Sequence, residues 1–114
     1  MGPLTDPPAH GASAADAFHV VMPSIPGFGF SEAPREGGFD PARIARIEAA
    51  LMARLGYTRY GVQGGDWGSI ISTQVAARDP DHVAGVHLNM CVGSPPAGQD
   101  PEAGLTDAER ARLQ

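Results

Sequence analysis

The 114 residues have the length of one modest domain, and a hydrophobic content of 42% is that of an ordinary globular protein, which excludes the disordered and fibrous classes. A net charge of -5, with eight Lys and Arg scattered along the chain, argues against nucleic acid and against anionic membrane surfaces as partners. The single cysteine, Cys91, cannot close an internal disulfide, suits a reducing compartment and reads as a small buried hydrophobe. No basic segment followed by an apolar core opens the chain, Asp6 stands where the myristoylation pattern requires Ser or Thr, and no apolar run reaches membrane-spanning length.

In chain order, residues 1–17 are rich in Pro, Ala, Gly and Asp without periodicity, which predicts an irregular leader. Phe18 to Met22 predicts a short buried strand. Pro23 to Gly38 holds four glycines and three prolines among aromatics and is expected to be a long shaped loop, ordered around Pro26-Gly27-Phe28-Gly29-Phe30-Ser31. Asp40 followed by Pro41 starts a helix, with Asp40 as N-cap and Phe39 and Ile44 spaced as a hydrophobic staple. Its apolar stripe is Ile44, Ile47, Leu51 and Leu55, and Gly56 ends it.

Tyr60 to Gln63 predicts a second strand, and Gly68 to Arg78 a helix rich in weak helix formers that must be stabilised by packing of Ile70, Ile71 and Val75. Asp79 before Pro80 disfavours further helix. Val83 to Leu88 predicts a third strand, Ser94 to Gly104 a loop, and Leu105 to Gln114 a helix opened by a Thr106/Glu109 capping box. Strand, helix, strand, helix, strand specifies an α/β fold with three parallel strands and right-handed crossover helices. Two helices hardly cover such a sheet on both faces, so the chain is expected to be a segment of a larger domain.

The richest chemistry lies at Gly64-Gly65-Asp66-Trp67-Gly68, between the second strand and its helix. The pattern small-x-nucleophile-x-small is that of a nucleophile elbow, whose sharp turn leaves no room for bulk two residues before and two after the tip. A serine at the tip needs a base, whereas an aspartate, with a reference pKa of about 3.9, is ionised at neutral pH. A carboxylate displaces leaving groups at saturated carbon and forms an alkyl-enzyme ester, which points to epoxides or alkyl halides. The competing reading of Asp66 is a helix cap stabilised by the dipole. A phosphate-binding loop is disfavoured: Gly27-x-Gly29 lacks the third glycine, since Glu32 stands there, and no Gly-Lys-Ser follows any glycine run.

Phe18-His19-Val20-Val21, the Pro-Gly-Phe-Gly-Phe-Ser loop at 26–31, Leu55-Gly56-Tyr57, Gln63 to Gly68 and His87-Leu88-Asn89-Met90 together resemble the epoxide hydrolases of the α/β-hydrolase superfamily, of the microsomal and juvenile-hormone type with their bacterial relatives. The resemblance implies a partial α/β-hydrolase core at 18–93 and a linker with the first helix of a cap at 94–114. It implies Asp66 as nucleophile, the Trp67 backbone N–H as one oxyanion-hole donor, Gly64 and Gly68 as elbow glycines, and Trp67 and Phe28 as pocket walls. The partners implied are a small hydrophobic epoxide and water, with no cofactor and no metal, in a bacterial cytoplasm.

The family's His-Gly-x-Pro motif, cap tyrosines, second carboxylate and catalytic histidine have no matching position, so the chain alone is expected to be inactive. Tyr57 and Tyr60 flank a core strand and do not correspond to the cap tyrosines. His10 lies in the leader, His19 in a strand and His82 after a helix-ending proline; His87 is near the turn but reads as a structural strand residue. Some alkyl-halide hydrolases of this fold take an acid from the position held here by Asn89. The alternatives are a haloalkane-dehalogenase-like hydrolase, which shares the Asp-Trp pair, and a truncated non-catalytic relic.

Overall fold

The computed structural model describes residues 1–93, 98, 100 and 102–112. The leader is less irregular than expected: it holds α1 (Gly2–Thr5) and two 3-10 turns, Pro7–His10 and Ala14–Asp16. The prolines responsible for the irregular reading sit in first turns, where their preset φ suits a helix start and their missing N–H costs nothing. Pro7 is buried, and the Phe18 N–H donates to the Leu4 carbonyl at 2.8 Å.

Phe18 to Met22 is not a strand of the sheet, which corrects the expectation of three strands to two. An apolar run becomes a strand only when it finds an edge to pair with. This one is tied elsewhere: His19 Nδ1 lies 2.9 Å from the Tyr57 hydroxyl, the two rings meet edge to face, and Phe18 and Met22 stay exposed.

Local chemistry sets α2 (Pro41–Arg54). Asp40 Oδ1 accepts the Arg43 N–H at 2.7 Å, Pro41 occupies the first helical position, and Gly56 leaves the helix at φ +85°. Phe39 carries the Arg43 guanidinium 3.9 Å above its ring, and Arg43 also pairs with Glu36. Only part of the apolar stripe is covered: Ile44 and Ala45 are buried, Leu51 is half-buried, and Ile47 and Leu55 remain 44% and 52% exposed. The reason is the packing partner. The helix rests on α3 (Trp67–Arg78), a surface one helix wide.

The parallel strands β1 (Tyr60–Gly64) and β2 (Val83–Leu88) are joined through α3 and pair from Tyr60 with Val83 to Gly64 with Leu88, with a register shift after Tyr60. Alternation turns Tyr60, Val62 and Gly64 toward cover and leaves Gly61 and Gln63 exposed. The core is Ile44, Ala45, Ile71 and Val75, flanked by Ile25, Tyr60, Val62 and Val83. Ile70, expected in that core, is half-buried, while Ser69 and Ser72 are buried. Cys91 is exposed, against the expectation of burial.

After β2, α4 (Asp107–Arg110) forms behind the expected capping box: Thr106 N–H donates to Glu109 Oε2 at 2.8 Å, and the Glu109 N–H returns to Thr106 Oγ1. The Thr106 hydroxyl, donating to Glu109 Oε2 at 2.7 Å, and then the Thr106 N–H hold the Glu109 carboxyl below its ordinary range. α4 is shorter than the helix expected from Leu105 to Gln114, since residues 111–112 form a turn; residues 113–114 and most of the expected 94–104 loop lie outside the described residues.

At the start of β1 a polar cluster ties the layers together. The Tyr60 hydroxyl donates to Asp79 Oδ2 at 2.6 Å, and His82 Nδ1 lies 2.5 Å from Asp79 Oδ1. Burial first, and then the bond to Asp79, push the Tyr60 hydroxyl far above its usual range. Asp79 is held low by the Tyr60 bond and then by His82, and His82 is raised by its bond to Asp79.

The sign of the pH dependence follows. A raised histidine contributes stability that is complete below its unfolded pKa of about 6.5 and is lost as pH rises through the folded value; a lowered carboxylate contributes above its unfolded value of about 3.9 and loses it as pH falls through the folded one. The thermal midpoint is therefore expected to peak between about pH 4 and 6.5 and to decline toward pH 8. His82→Gln should flatten the alkaline decline in a calorimetric pH series.

Candidate active site

Gly64 ends β1, Trp67 begins α3, and the chain reverses between them through Gly65 and Asp66. Asp66 sits at φ +52° and ψ -127°, the one non-glycine residue with positive φ among the described residues. That conformation costs a side-chain-bearing residue about 1–3 kcal/mol. Its side chain makes no capping bond to α3, contrary to the helix-cap reading. It is exposed at the tip, at the N-cap position of the helix.

The glycine requirement falls on one side of the turn. A Cβ added to Gly64 lies 2.0 Å from the Gly68 carbonyl oxygen and 2.7 Å from the Ser69 nitrogen, closer than any atoms can pack. A Cβ added to Gly68 meets nothing within 4 Å. The expectation of equal crowding at both positions is therefore corrected: the strand end must approach the helix backbone, while Gly68 faces open space. Gly65 is also confined, because an added Cβ falls 2.4 Å from Asn89 Oδ1.

Two residues that sequence reasoning passed over hold this geometry. Ser69, counted only as a weak helix former, is buried, and its hydroxyl reaches the carbonyl oxygens of Gly64, at 3.3 Å, and Met90. Asn89, noted as part of the His87–Met90 motif and as the absence of an acid, donates its N–H to the Gly64 carbonyl at 3.2 Å and accepts weakly from Gln63 Nε2 at 3.4 Å. The available signal for the former was a serine in the first turn of a helix that follows a glycine-rich reversal.

Trp67 provides one of the N–H groups that a helix start leaves without an internal partner, and its side chain is 57% exposed beside Asp66. Phe28 is 63% exposed in a pair of tight turns, where its N–H donates to the Ile25 carbonyl and its carbonyl accepts from Ser31. No hydrogen bond among the described residues links that loop to the Asp66 turn; its anchor is Ile25 on the core. His87 is exposed on β2 opposite Gln63.

A cavity of about 400 Å³ opens between α2 and the Tyr60–Asp79–His82 cluster, at the end of β1 remote from Asp66. A smaller one of about 210 Å³ flanks α3 between Ser69 and Val92. Asp66, Trp67 and Phe28 line neither. Among the described residues no group of three or more His, Cys, Asp or Glu side chains is placed to hold a metal ion, and no helix is long and apolar enough to cross a membrane.

A βαβ unit with a strained acidic tip between strand and helix defines the class. Residues 8–114 match the alpha/beta hydrolase fold family, and the chain belongs to that family. Its relatives narrow the resemblance. A protein of Stigmatella aurantiaca is 57% identical over 87 residues, covering 76% of this chain and 20% of that protein. Epoxide hydrolase 1 of Oryctolagus cuniculus is 49% identical over 89 residues, 78% of this chain and 20% of the relative. The crystal structure of juvenile hormone epoxide hydrolase from the silkworm Bombyx mori superposes with a TM-score of 0.58 and 49% identity over 59% of this chain and 18% of that one. The chain thus spans about a fifth of the length of the curated relatives it matches.

The geometry separates the three glycine and tip positions experimentally. Gly64→Ala is expected to destabilise the protein by about 3 kcal/mol, Gly68→Ala to be neutral or stabilising by up to ~1 kcal/mol, and Asp66→Gly to stabilise by about 1 kcal/mol through relief of φ strain. Urea unfolding of the three variants measures the order.

Proposed function

We propose that this chain is the nucleophile-bearing segment of an epoxide hydrolase, with Asp66 as the nucleophile of an elbow and water as co-substrate. The observation that carries the reading is the strained, exposed carboxylate at the start of α3, in a sequence 49% identical to an enzyme named as an epoxide hydrolase. A helix cap needs no strain and makes a bond to the helix; Asp66 has the strain and lacks the bond.

In the proposed reaction an Asp66 carboxylate oxygen attacks an epoxide carbon from the side opposite the ring oxygen. The C–O bond breaks, the electron pair goes to oxygen, and a proton donor outside this segment neutralises the alkoxide. The product is a β-hydroxyalkyl ester on Asp66. Water then adds to the ester carbonyl carbon, and the oxyanion that forms is met by the Trp67 N–H, supported by a second donor. Collapse of that intermediate releases a vicinal diol and restores the carboxylate. The chemistry requires no cofactor.

The Trp67 indole and Phe28 are assigned to the walls of an apolar substrate site, supported by their exposure. Activation of the water and protonation of the epoxide oxygen belong to groups this segment does not carry, so the 114 residues alone are expected not to turn over. A bacterial cytoplasm is part of the same proposal; the Stigmatella aurantiaca relative supports the bacterial source and says nothing of the compartment.

Trapping tests the reading. Brief incubation of the full-length protein with an isotopically labelled aryl epoxide should leave the adduct mass on the peptide containing Asp66, and Asp66→Ala should abolish both adduct and diol. Adduct on another residue rejects the assignment, and steady diol formation by the 114-residue chain rejects its dependence on outside groups.

A further inference from the structure

We propose that Ser69 is the positioning residue of the Asp66 turn, acting through the backbone on either side of the tip. Ser69 is 2% exposed, three residues from an exposed carboxylate. Its backbone N–H donates to the Asp66 carbonyl at 3.0 Å, and its hydroxyl donates toward the Gly64 carbonyl at 3.3 Å. One residue therefore grips the tip and the residue two before it. The same hydroxyl is shared with the Met90 carbonyl, beyond the end of β2, so the turn is fastened to the neighbouring strand.

Asn89 completes the grip. Its N–H is a second donor to the Gly64 carbonyl at 3.2 Å, and its side-chain amide occupies the space beside Gly65. The Gly64 carbonyl thus accepts from two elements at once. This matters because Asp66 holds a strained φ and Gly64 must stay pressed against the helix backbone.

Packing alone does not explain a serine here. An alanine has a higher helix propensity and nearly the same volume, while a buried hydroxyl costs free energy unless it is bonded. The one hydroxyl proton is shared between the Met90 carbonyl, its nearer acceptor, and the Gly64 carbonyl, which also takes the Asn89 N–H. Ser69 touches no reacting atom; its effect on chemistry is the aim of the Asp66 carboxylate and of the adjacent Trp67 N–H. Misplacement of a reacting group by about 1 Å costs roughly a hundredfold in rate.

The catalytic part of this inference rests on Asp66 being the nucleophile, and the structural part does not, which makes the two separable. In the full-length protein, Ser69→Ala is expected to slow ester formation on Asp66, followed with a labelled aryl epoxide, by roughly tenfold to a hundredfold with KM nearly unchanged. Ser69→Thr, which retains the hydroxyl, should recover most of that rate. Amide hydrogen exchange at residues 65–68 should rise about tenfold in Ser69→Ala, while amides around Tyr60 and Asp79 keep their wild-type rates.

Wild-type exchange at the turn in Ser69→Ala overturns the proposal, as does failure of Ser69→Thr to recover the rate. Faster exchange at the turn together with no adduct on Asp66 in the wild type supports the positioning role and rejects the nucleophile. Where Ser69→Ala does not fold, Ser69→Cys keeps the volume and weakens the donor, and unchanged exchange at 65–68 in that variant overturns the proposal equally.

Discussion

Everything at the acidic end of this molecule depends on a backbone contact: the last residue of β1 lies against the carbonyl of Gly68, the second residue of α3. Only a residue without a Cβ can stand there. Because Gly64 is such a residue, the chain passes from strand to helix in two steps, and the second step forces Asp66 to positive φ. The cost of about 1–3 kcal/mol must be met by the structure around it. Burying Ile71 and Val75 in the next turns of α3 contributes about 1.5–3 kcal/mol each, which is enough to hold the helix in place and leave the strain standing. The Gly64 carbonyl, just before the strained tip, accepts from the Ser69 hydroxyl and the Asn89 N–H.

The two ends of the βαβ unit are chemically unlike. At the start of β1, Tyr60, Asp79 and His82 satisfy one another. At the other end Asp66 carries an exposed carboxylate without a capping bond, next to a half-exposed indole. A polar cluster with its bonds closed is a structural fastening, and its effect on ionisation is largely internal. The open end is where a reagent can be met. For that reason the larger cavity, which lies beside the closed cluster, carries less chemical weight than the turn, although it is the more concave feature.

What was legible in the sequence is what local chemistry decides. Asp40 with Pro41, Gly56, and the Thr106/Glu109 pair act within a few residues, and each sits where its pattern placed it. The β2 strand matched its expected limits, and β1 ran one residue further, into the glycine that makes the turn. Phe18 to Met22 failed because strand pairing is decided at long range: hydrophobic character qualifies a segment for a sheet but does not supply an edge. Ile47 and Leu55 failed for a related reason, since periodicity marks an apolar face without saying what covers it. The glycine pattern located the turn but overstated Gly68, because crowding is a property of the direction of approach. Ser69 was hidden by averaging, as propensity scores a serine in a helix as weak without asking where its hydroxyl goes.

The placement of the carboxylate at a helix N-terminus acts oppositely on the two steps of the proposed reaction. In the first step the charge is on Asp66 itself, so the positive end of α3 stabilises the reactant and makes the carboxylate a slightly weaker nucleophile. In the second step Asp66 is a neutral ester, and the charge appears only as water adds, so the same field now stabilises the transition state over the ground state. At an exposed helix end the field is worth about 0.3–1 kcal/mol, a factor of roughly two to five in rate either way. One N–H aimed at the developing oxyanion is worth about 2.7–4 kcal/mol, so the aim of Trp67 outweighs the diffuse dipole several times over. In the proposed reaction the turn thus favours ester hydrolysis more than alkylation. The first step must draw its acceleration from a proton donor at the epoxide oxygen, which is the contribution a glycine-flanked aspartate cannot make for itself.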